Sequence, residues 1–348
     1  MRDIRPPDYF TFHPRYTQNM IRINGHALCF PTLHGTLAIA LAMAVAATAT
    51  AQDYPAKPVR LMVSSSPGSG VDIVGRIVAQ RMSESLGAII VVENRAGAGG
   101  TLGVQFVSRA APDGYTLLMV APSFTISASY ERDLPYDVIR DFAPVGQATT
   151  GHYIVVVHPS LPVHTLKELI ALAKARPGRL NFGSGGNGNS SDMAAEYFRG
   201  MTGINIVHVP YKGSGPAVSA LVAGEIHLMF ANITAAVPHI KTGRLRALAV
   251  TGEARSTALP DLPTVVEAGV PGYVVPNWFG VAAPAHTPPE IIARLGTALT
   301  TAMRSPDMRE RLAAEGAEPV TTTPAEFGKL IAREVAIWSK VVKSAGVK

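Results

Sequence analysis

Residues 64–72 read Ser-Ser-Ser-Pro-Gly-Ser-Gly-Val-Asp, a glycine-rich loop that separates two segments with different periodicities. The largely apolar residues 59–63 before it predict a short buried strand, and apolar residues recur at helical spacing from Ile73 to Met82. In such a loop the first backbone amides of the helix stay unpaired, with the positive end of the helix dipole behind them. The stretch therefore predicts a strand, a turn and a helix whose amino end suits an anion.

Two further loops of small residues occur later in the chain. Residues 181–192 read Asn-Phe-Gly-Ser-Gly-Gly-Asn-Gly-Asn-Ser-Ser-Asp, and residues 209–216 read Val-Pro-Tyr-Lys-Gly-Ser-Gly-Pro. Each loop alone is explained by a tight turn in which glycine supplies a positive φ. Several such loops at corresponding strand ends favour a ligand site, because α/β proteins bind ligands outside the carboxyl ends of their strands.

Apolar runs alternate with helix-like segments along most of the chain, which predicts an α/β fold. The clearest additional runs are 89–92, 115–120, 154–157, 226–230 and 245–250. Their continuous apolarity predicts strands covered on both faces, as in a parallel sheet. Thr165, Thr287 and Thr323 each precede a glutamate by three residues, so each is predicted to cap a helix. The last helix is expected to bury a stripe from Phe327 to Val342.

The front of the chain has the pattern of a secretory signal peptide. Residues 36–51 are small and apolar and end in Ala-Thr-Ala, which predicts cleavage after Ala51 and a leader over residues 1–51. A retained membrane anchor is the alternative, although the apolar run is short for a bilayer span. Met20 is a plausible true start. The only cysteine, Cys29, precedes the apolar run, so the mature chain would carry no thiol chemistry.

Composition and motifs argue against several functional classes. Without residues 1–51 the chain keeps 27 Lys and Arg against 23 Asp and Glu, and the basic residues are scattered singly. Nucleic-acid binding therefore has little support, and an anionic ligand is only mildly favoured. The sequence has no Walker-type phosphate loop, no complete dinucleotide fingerprint, no nucleophile elbow and no metal-ligand spacing among its histidines. We therefore predict no catalytic residues, no metal and no cofactor.

Ten ordered blocks of the chain resemble one known family, the periplasmic substrate-binding proteins of tripartite tricarboxylate transporters, also called the Bug or TctC family. The resemblance covers the chain from Asp53 to Lys348 and is carried by YPAKPVRLMV, PGSGVDIV, VVENRAGAGGTLG, APDGYTLLM, LPYDVIRDFAPV, HVPYKGSGPAV, MFAN, TGRLRALAVTG, LPDLPTVVEAGVPGY and WFGVAAP.

This resemblance implies a type II periplasmic binding protein fold, with two α/β domains around a central ligand cleft. Domain 1 would be discontinuous, formed by residues 52–155 plus 278–348, and domain 2 would comprise residues 156–277. The chain would cross between them near residues 153–158 and 277–283.

The resemblance also implies a ligand site in which backbone amides and small hydroxyls hold one carboxylate. Carried over position by position, the candidates in the first domain are Ser66, Gly68, Ser69, Gly70, Ser123 and Thr125. Those in the second domain are Ser184, Gly186, Asn187, Ser190, Tyr211, Ala231 and Asn232. Trp278 is either a wall of the cleft or part of the core.

This chain departs from the common family pattern at two of these positions. Many members have glycine where Ser69 stands, and a serine there keeps the turn and adds a hydroxyl. Many members have aspartate where Ala231 stands, and a carboxylate there would pair with a ligand ammonium group. Alanine at that position weakly favours a di- or tricarboxylate or an aromatic acid over an amino acid.

Together these features predict a secreted periplasmic solute receptor, monomeric and without enzymatic activity. It would bind a small carboxylate in the cleft and deliver it to the integral-membrane permease subunits of a tripartite transporter. The alternative is a carboxylate-sensing receptor that docks on a signalling partner. An α/β enzyme with an unrecognised site is a third reading, which turnover of a bound acid would reveal.

Overall fold

The computed structural model of the protein describes residues 54–131 and 133–345. The predicted signal peptide, its cut after Ala51 and the alternative start at Met20 lie outside these residues. Ten strands form the β-structure of the described part: β1 (Val59–Val63), β2 (Ile90–Asn94), β3 (Thr116–Val120), β4 (Phe142–Val157), β5 (Asn181–Ser184), β6 (Val207–Pro210), β7 (Leu228–Asn232), β8 (Arg246–Val250), β9 (Pro276–Pro284) and β10 (Ala317–Pro319).

The helices of the described part alternate with these strands, as the sequence predicts. They are α1 (Gly70–Leu86), α2 (Thr101–Ser108, preceded by a 3₁₀ turn), α3 (Pro122–Tyr130), α4 (Leu166–Ala175), α5 (Ser190–Thr202), α6 (Ser214–Val222), α7 (Ile233–Lys241), α8 (Pro289–Arg304), α9 (Pro306–Ala314) and α10 (Pro324–Ala345).

The strands form two sheets that share the long strand β4. The first sheet has the order β2-β1-β3-β9-β4-β10, and the second has the order β8-β4-β7-β5-β6. Strand β4 pairs with β9 up to His152 and with β7 from Tyr153 onward. We call the part built on the first sheet the first lobe and the part built on the second sheet the second lobe. The domain limits given above stay a prediction.

Helices cover both faces of each sheet, which explains the continuous apolar runs. In the first lobe one core lies under α1, α8 and α9, and the other lies under α2, α3 and the start of α10. In the second lobe one core lies under α4 and α5, and the other lies under α6 and α7. Trp278 is buried in the first lobe against Phe327, so it belongs to the core.

The strand directions correct one expectation. Strands β1, β2 and β3 are parallel, as are β5, β6 and β7, but residues 154–157 pair antiparallel with both β7 and β8. The prediction of a parallel sheet was therefore wrong for the runs 154–157 and 245–250. Continuous apolarity reports that both faces of a strand are buried, and burial does not depend on strand direction.

Two of the three predicted helix caps are present. Thr165 and Thr323 each accept a hydrogen bond from the backbone N–H of the glutamate three residues later, and that glutamate bonds back to the threonine N–H. Thr287 does not cap α8, which begins at Pro289. Its hydroxyl donates instead to the carbonyl oxygen of Pro284, 2.8 Å away.

The last helix packs against both lobes. Phe327 and Ile331 are buried in the first lobe, whereas Trp338 is buried against the core of the second. In the chain from Tyr54 to Ala345, apart from the undescribed position 132, no helix combines the length and the apolar character needed to cross a bilayer.

Candidate ligand site between the two lobes

A small cavity of about 30 Å³ lies where the two lobes meet. It is situated at the carboxyl ends of β1, β3 and β7 and beside the start of α5, as expected for an α/β ligand site. The described residues that line it are Ser64, Ser65, Ser69, Gly70, Val71, Ala121, Ser123, Tyr153, Asn189, Ser190, Ser191, Ser214, Asn232 and Phe279.

Helix amino ends from both lobes meet at this cavity. Ser69, Asn189 and Asn232 are the N-cap residues of α1, α5 and α7, and Ser123 lies in the first turn of α3. Each of these ends presents backbone N–H groups without an intrahelical partner and a positive partial charge. The arrangement concentrates hydrogen-bond donors and positive potential in one small volume.

The glycine-rich loop of the first lobe is held by Asp72. Gly68 has a φ of 75°, a left-handed conformation that glycine adopts without strain. Its N–H donates to Asp72 Oδ2 at 2.9 Å, and Arg76 and Asn94 donate to Asp72 Oδ1 at 2.9 and 2.8 Å. Burial raises the pKa of Asp72, but these hydrogen bonds outweigh it and bring the pKa below its ordinary value.

The glycine-rich loop of the second lobe repeats this backbone arrangement around Asp192. Gly188 has a φ of 70°, and its N–H donates to Asp192 Oδ2 at 2.9 Å. Asp192 Oδ1 is buried and has no hydrogen-bond partner among the described residues, although His208 Nδ1 lies 3.4 Å away. Burial raises the pKa of Asp192 to about 6, against the lowering effects of the Gly188 bond and of Arg199.

His208 connects this loop to Ser184. Its Nε2 lies 2.6 Å from Ser184 Oγ, and its ring stacks on Phe182. Burial lowers the pKa of His208, although Glu196 acts in the opposite direction. Ser184 is fully buried and also accepts a hydrogen bond from the Gly186 N–H, so its hydroxyl is already engaged within the loop.

The two lobes touch closely around the cavity. The N–H of Gly215 in the second lobe donates to Ser66 Oγ in the first lobe at 3.3 Å. A Cβ atom on Gly70 would overlap the side chain of Asn232, and one on Gly99 would lie 2.5 Å from the carbonyl oxygen of Asn187. Glycine at these two positions therefore permits an approach between the lobes that a larger residue would prevent.

The structure brings five of the residues predicted from the sequence to the cavity: Ser69, Gly70, Ser123, Ser190 and Asn232. Three others, Ser66, Gly68 and Asn187, lie in the loops around it. Their assignment as ligand contacts stays a prediction.

The remaining five predicted residues do not line the cavity. Thr125 is fully buried and donates to the Pro122 carbonyl oxygen, and Ala231 is fully buried in the core of the second lobe. Ser184 bonds His208, as described above. Gly186 lies against Tyr211, since a Cβ atom on Gly186 would lie 3.3 Å from the Tyr211 carbonyl oxygen.

Several lining residues were absent from the sequence-based set. Ser64 and Ser65 directly follow β1, and their position as the first residues beyond a buried strand was an available signal. Asn189, Ser191 and Ser214 belong to the two later loops and lie beside residues that the resemblance indicates. Tyr153 gave no local signal, because only the exchange of β4 between the sheets places it here.

The lining is polar but uncharged. None of the described residues that line the cavity is a lysine, arginine, histidine, aspartate or glutamate. Burial raises the pKa of Tyr153, against a hydrogen bond with Ser190, so its phenol stays protonated near neutral pH. Amides and hydroxyls of this kind bind a carboxylate by donating hydrogen bonds, without a buried countercharge.

The sequence model of one protein family, the tripartite tricarboxylate transporter family receptor, matches residues 74–347 of the chain. The chain belongs to this family. Protein BugT of Bordetella pertussis is 39% identical over 301 residues, which are 86% of this chain and 92% of the relative.

Solved structures of similar proteins give the same assignment. The Rhodopseudomonas palustris protein Rpa4515 with adipate is 37% identical, has a TM-score of 0.82, and is matched over 84% of this chain and 99% of that one. MatC of the same organism with bound malate is 32% identical, has a TM-score of 0.80, and is matched over 83% and 100%. The predicted two-domain periplasmic binding protein fold is thereby confirmed, and the family is one of receptors rather than enzymes.

Proposed function

We propose that this receptor binds one carboxylate group of a small organic acid in the cavity between the lobes. The observation that carries the proposal is the convergence of helix amino ends and serine hydroxyls from both lobes on one uncharged cavity. Helix amino ends favour anions through their free N–H groups and their dipoles. No described lining residue supplies a countercharge, so hydrogen bonds and helix dipoles alone would hold the acid.

The proposed ligand class is a di- or tricarboxylate, or a related acid, without an ammonium group. A ligand ammonium would require a carboxylate or several carbonyl partners, and no described lining residue is acidic. Rpa4515 and MatC, whose structures contain adipate and malate, support this choice because neither acid carries an amino group. Ala231 makes no direct contribution, since its side chain is buried in the core.

The size of the cavity implies movement of the lobes. A volume of about 30 Å³ has room for about two water molecules, since one needs about 10–15 Å³. A whole dicarboxylate therefore enters only if the lobes first move apart, and closure then surrounds the acid with donors from both sides. We propose that the monomeric receptor works in the periplasm and hands the acid to membrane permease subunits.

The test is thermal-shift screening of the protein from Gln52 onward against mono-, di- and tricarboxylates, amino acids and aromatic acids. Screening is repeated after unfolding and refolding, which removes any co-purified acid. A ligand at about 100 times its Kd adds about 2.7 kcal/mol to the free energy of unfolding. We expect a stabilising shift from one class of carboxylate and recovery of the acid unchanged.

Ser123→Ala tests whether the cavity is the site, and Ser129→Ala is its matched control. Both serines lie on α3, but Ser123 lines the cavity whereas Ser129 bonds Ser339 on the last helix. A hydrogen bond to a charged group contributes about 1.5–3 kcal/mol, so Ser123→Ala should weaken carboxylate binding at least tenfold. Equal affinities of the two variants, or a flat screen after refolding, would count against the proposal.

A further inference from the structure

A second concave site lies in the first lobe and shares no lining residue with the cavity between the lobes. It is a groove of about 700 Å³ bounded by the start of β1, the start of β3 and one side of α2. All of its described lining residues fall between Lys57 and Thr116. Because these residues belong to one lobe, opening or closing of the lobes leaves the groove unchanged.

The groove is strongly basic. Four cationic side chains line it, those of Lys57, Arg60, Arg95 and Arg109, against a single carboxylate, Asp113, among the described lining residues. Lys57 lies 3.9 Å from Asp113, and both side chains are about half or more exposed, so this pair is weak. In the described part of the chain the three arginines have no ion-pair partner.

Aromatic rings contact three of the four cations. The Arg95 guanidinium lies 4.4 Å from the centre of the Phe106 ring and that of Arg60 lies 5.6 Å from it. Lys57 Nζ lies 4.3 Å from the centre of the Tyr115 ring. Arg60 also donates to Thr116 Oγ1 at 3.0 Å. Rings that orient cations in this way reduce the entropy lost when an anion binds.

We propose that this groove binds an acidic peptide segment of a protein partner. Carboxylates spaced along a peptide would pair with guanidinium groups that have no ion-pair partner in the described structure, and arginine and aromatic residues are the types enriched in protein interfaces. The concave shape favours a peptide over a flat anionic membrane surface. The site is independent of the carboxylate ligand, so a partner can remain bound while the lobes open and close.

The experiment measures fluorescence anisotropy of a fluorescein-labelled octapeptide of alternating glutamate and aspartate, titrated with the protein from Gln52 onward. We expect saturable binding that weakens with added salt. The double variant Arg95→Gln/Arg109→Gln should weaken binding at least tenfold. The control, Arg179→Gln/Arg304→Gln, removes the same charge from exposed positions outside the groove and should change it less than twofold.

Three results would overturn the proposal: no peptide binding, equal losses in the two double variants, or displacement of the peptide by phosphatidylglycerol vesicles that bind more tightly. The first two mean that the groove is not a specific site, and the third assigns it to a membrane surface. Carboxylate-induced thermal shifts are measured on the same variants. They should equal those of the unchanged protein, which separates this proposal from the proposed function.

Discussion

The glycine-rich loops of the two lobes have the same backbone design but opposite electrostatics. In both, a glycine with φ near 70° donates its N–H to the aspartate four residues later at 2.9 Å. Asp72 forms an ion pair with Arg76 and accepts a hydrogen bond from Asn94, and its pKa lies below the ordinary value. Asp192 faces His208, and burial raises its pKa to about 6. The glycine and the aspartate therefore set the turn, whereas burial and the surrounding side chains set the pKa of each aspartate.

The first helical residue also differs between the loops. It is Gly70 in the first lobe and Ser190 in the second. The variant Gly70→Ser gives the first loop the same residue type as the second at this position. The Cβ atom of the new serine would overlap Asn232 only when the lobes are together. We expect carboxylate binding to weaken about 100-fold, a loss of about 2.8 kcal/mol, with little change in unfolding of the ligand-free protein.

Isothermal titration calorimetry measures this effect, and Gly75→Ala is the control on the same helix. A Cβ at Gly75 would lie 3.3 Å from Val63 within the first lobe, so it affects stability rather than closure. Unchanged affinity in Gly70→Ser would mean that ligand binding does not need this close approach.

Asp72→Asn should have the next largest effect. The carboxylate accepts from Gly68, Arg76 and Asn94, and an amide would turn its NH₂ group toward donors. We expect the free energy of unfolding at pH 7 to fall by about 2 kcal/mol in urea denaturation. Because the folded pKa lies below the ordinary value of 3.8, the deficit should shrink as the pH falls below that value. The exposed Asp261→Asn serves as the control, with a change near zero.

Asp192→Asn should change the stability in the direction opposite to that of Asp72→Asn. Folded Asp192 keeps its proton up to about pH 6, whereas an unfolded aspartate ionises near pH 3.8, so stability from this group falls as the pH rises between these values. An asparagine oxygen still accepts from Gly188 and carries no buried charge. We expect the variant to lose this slope and to gain about 1 kcal/mol at pH 7, measured by urea unfolding at pH 4.5, 5.5 and 7. If Asp192→Asn instead lowers the free energy of unfolding at pH 7 as Asp72→Asn does, both aspartates stabilise their loops as carboxylates.

Removal of the N-cap side chains of α1 and α5 should have the smallest effect on the free energy of unfolding. Ser69 Oγ accepts one hydrogen bond, from the Asp72 N–H at 3.4 Å. Asn189 Oδ1 accepts two, from the Ser191 N–H at 3.1 Å and from the Ser191 hydroxyl at 2.9 Å. We expect Asn189→Ala to cost about 1 kcal/mol of unfolding free energy and Ser69→Ala about half of that. The opposite order in thermal unfolding of the ligand-free protein would contradict the hydrogen-bond geometry.

Sequence patterns predicted what local interactions determine. The strand, turn and helix around residues 64–72 are where the pattern places them, and Thr165 and Thr323 cap helices because the capping partners are three residues away. Thr287 has the same spacing, but its hydroxyl reaches the carbonyl of Pro284 and the helix begins at Pro289. The threonine–glutamate spacing therefore does not predict a cap where the hydroxyl has another hydrogen-bond acceptor nearby, here the Pro284 carbonyl oxygen.

The candidate site was less predictable, because long-range pairing places its residues. Ser184 is among the residues that the resemblance indicates, and in the structure its hydroxyl lies 2.6 Å from the ring of His208, 24 residues away. Tyr153 reaches the cavity only because β4 leaves one sheet and enters the other beside it. No periodicity or spacing in the sequence predicts the contact between Ser184 and His208 or the position of Tyr153. The helix amino ends at the site, by contrast, are predicted by the glycine-rich loops that precede the helices.

The sharing of β4 also couples the two sheets to each other. One strand supplies an inner position to both sheets, and the last helix is anchored in both lobes through Phe327 and Trp338. Melting of either sheet removes a paired neighbour from the other, so calorimetry should show one cooperative transition with equal van't Hoff and calorimetric enthalpies.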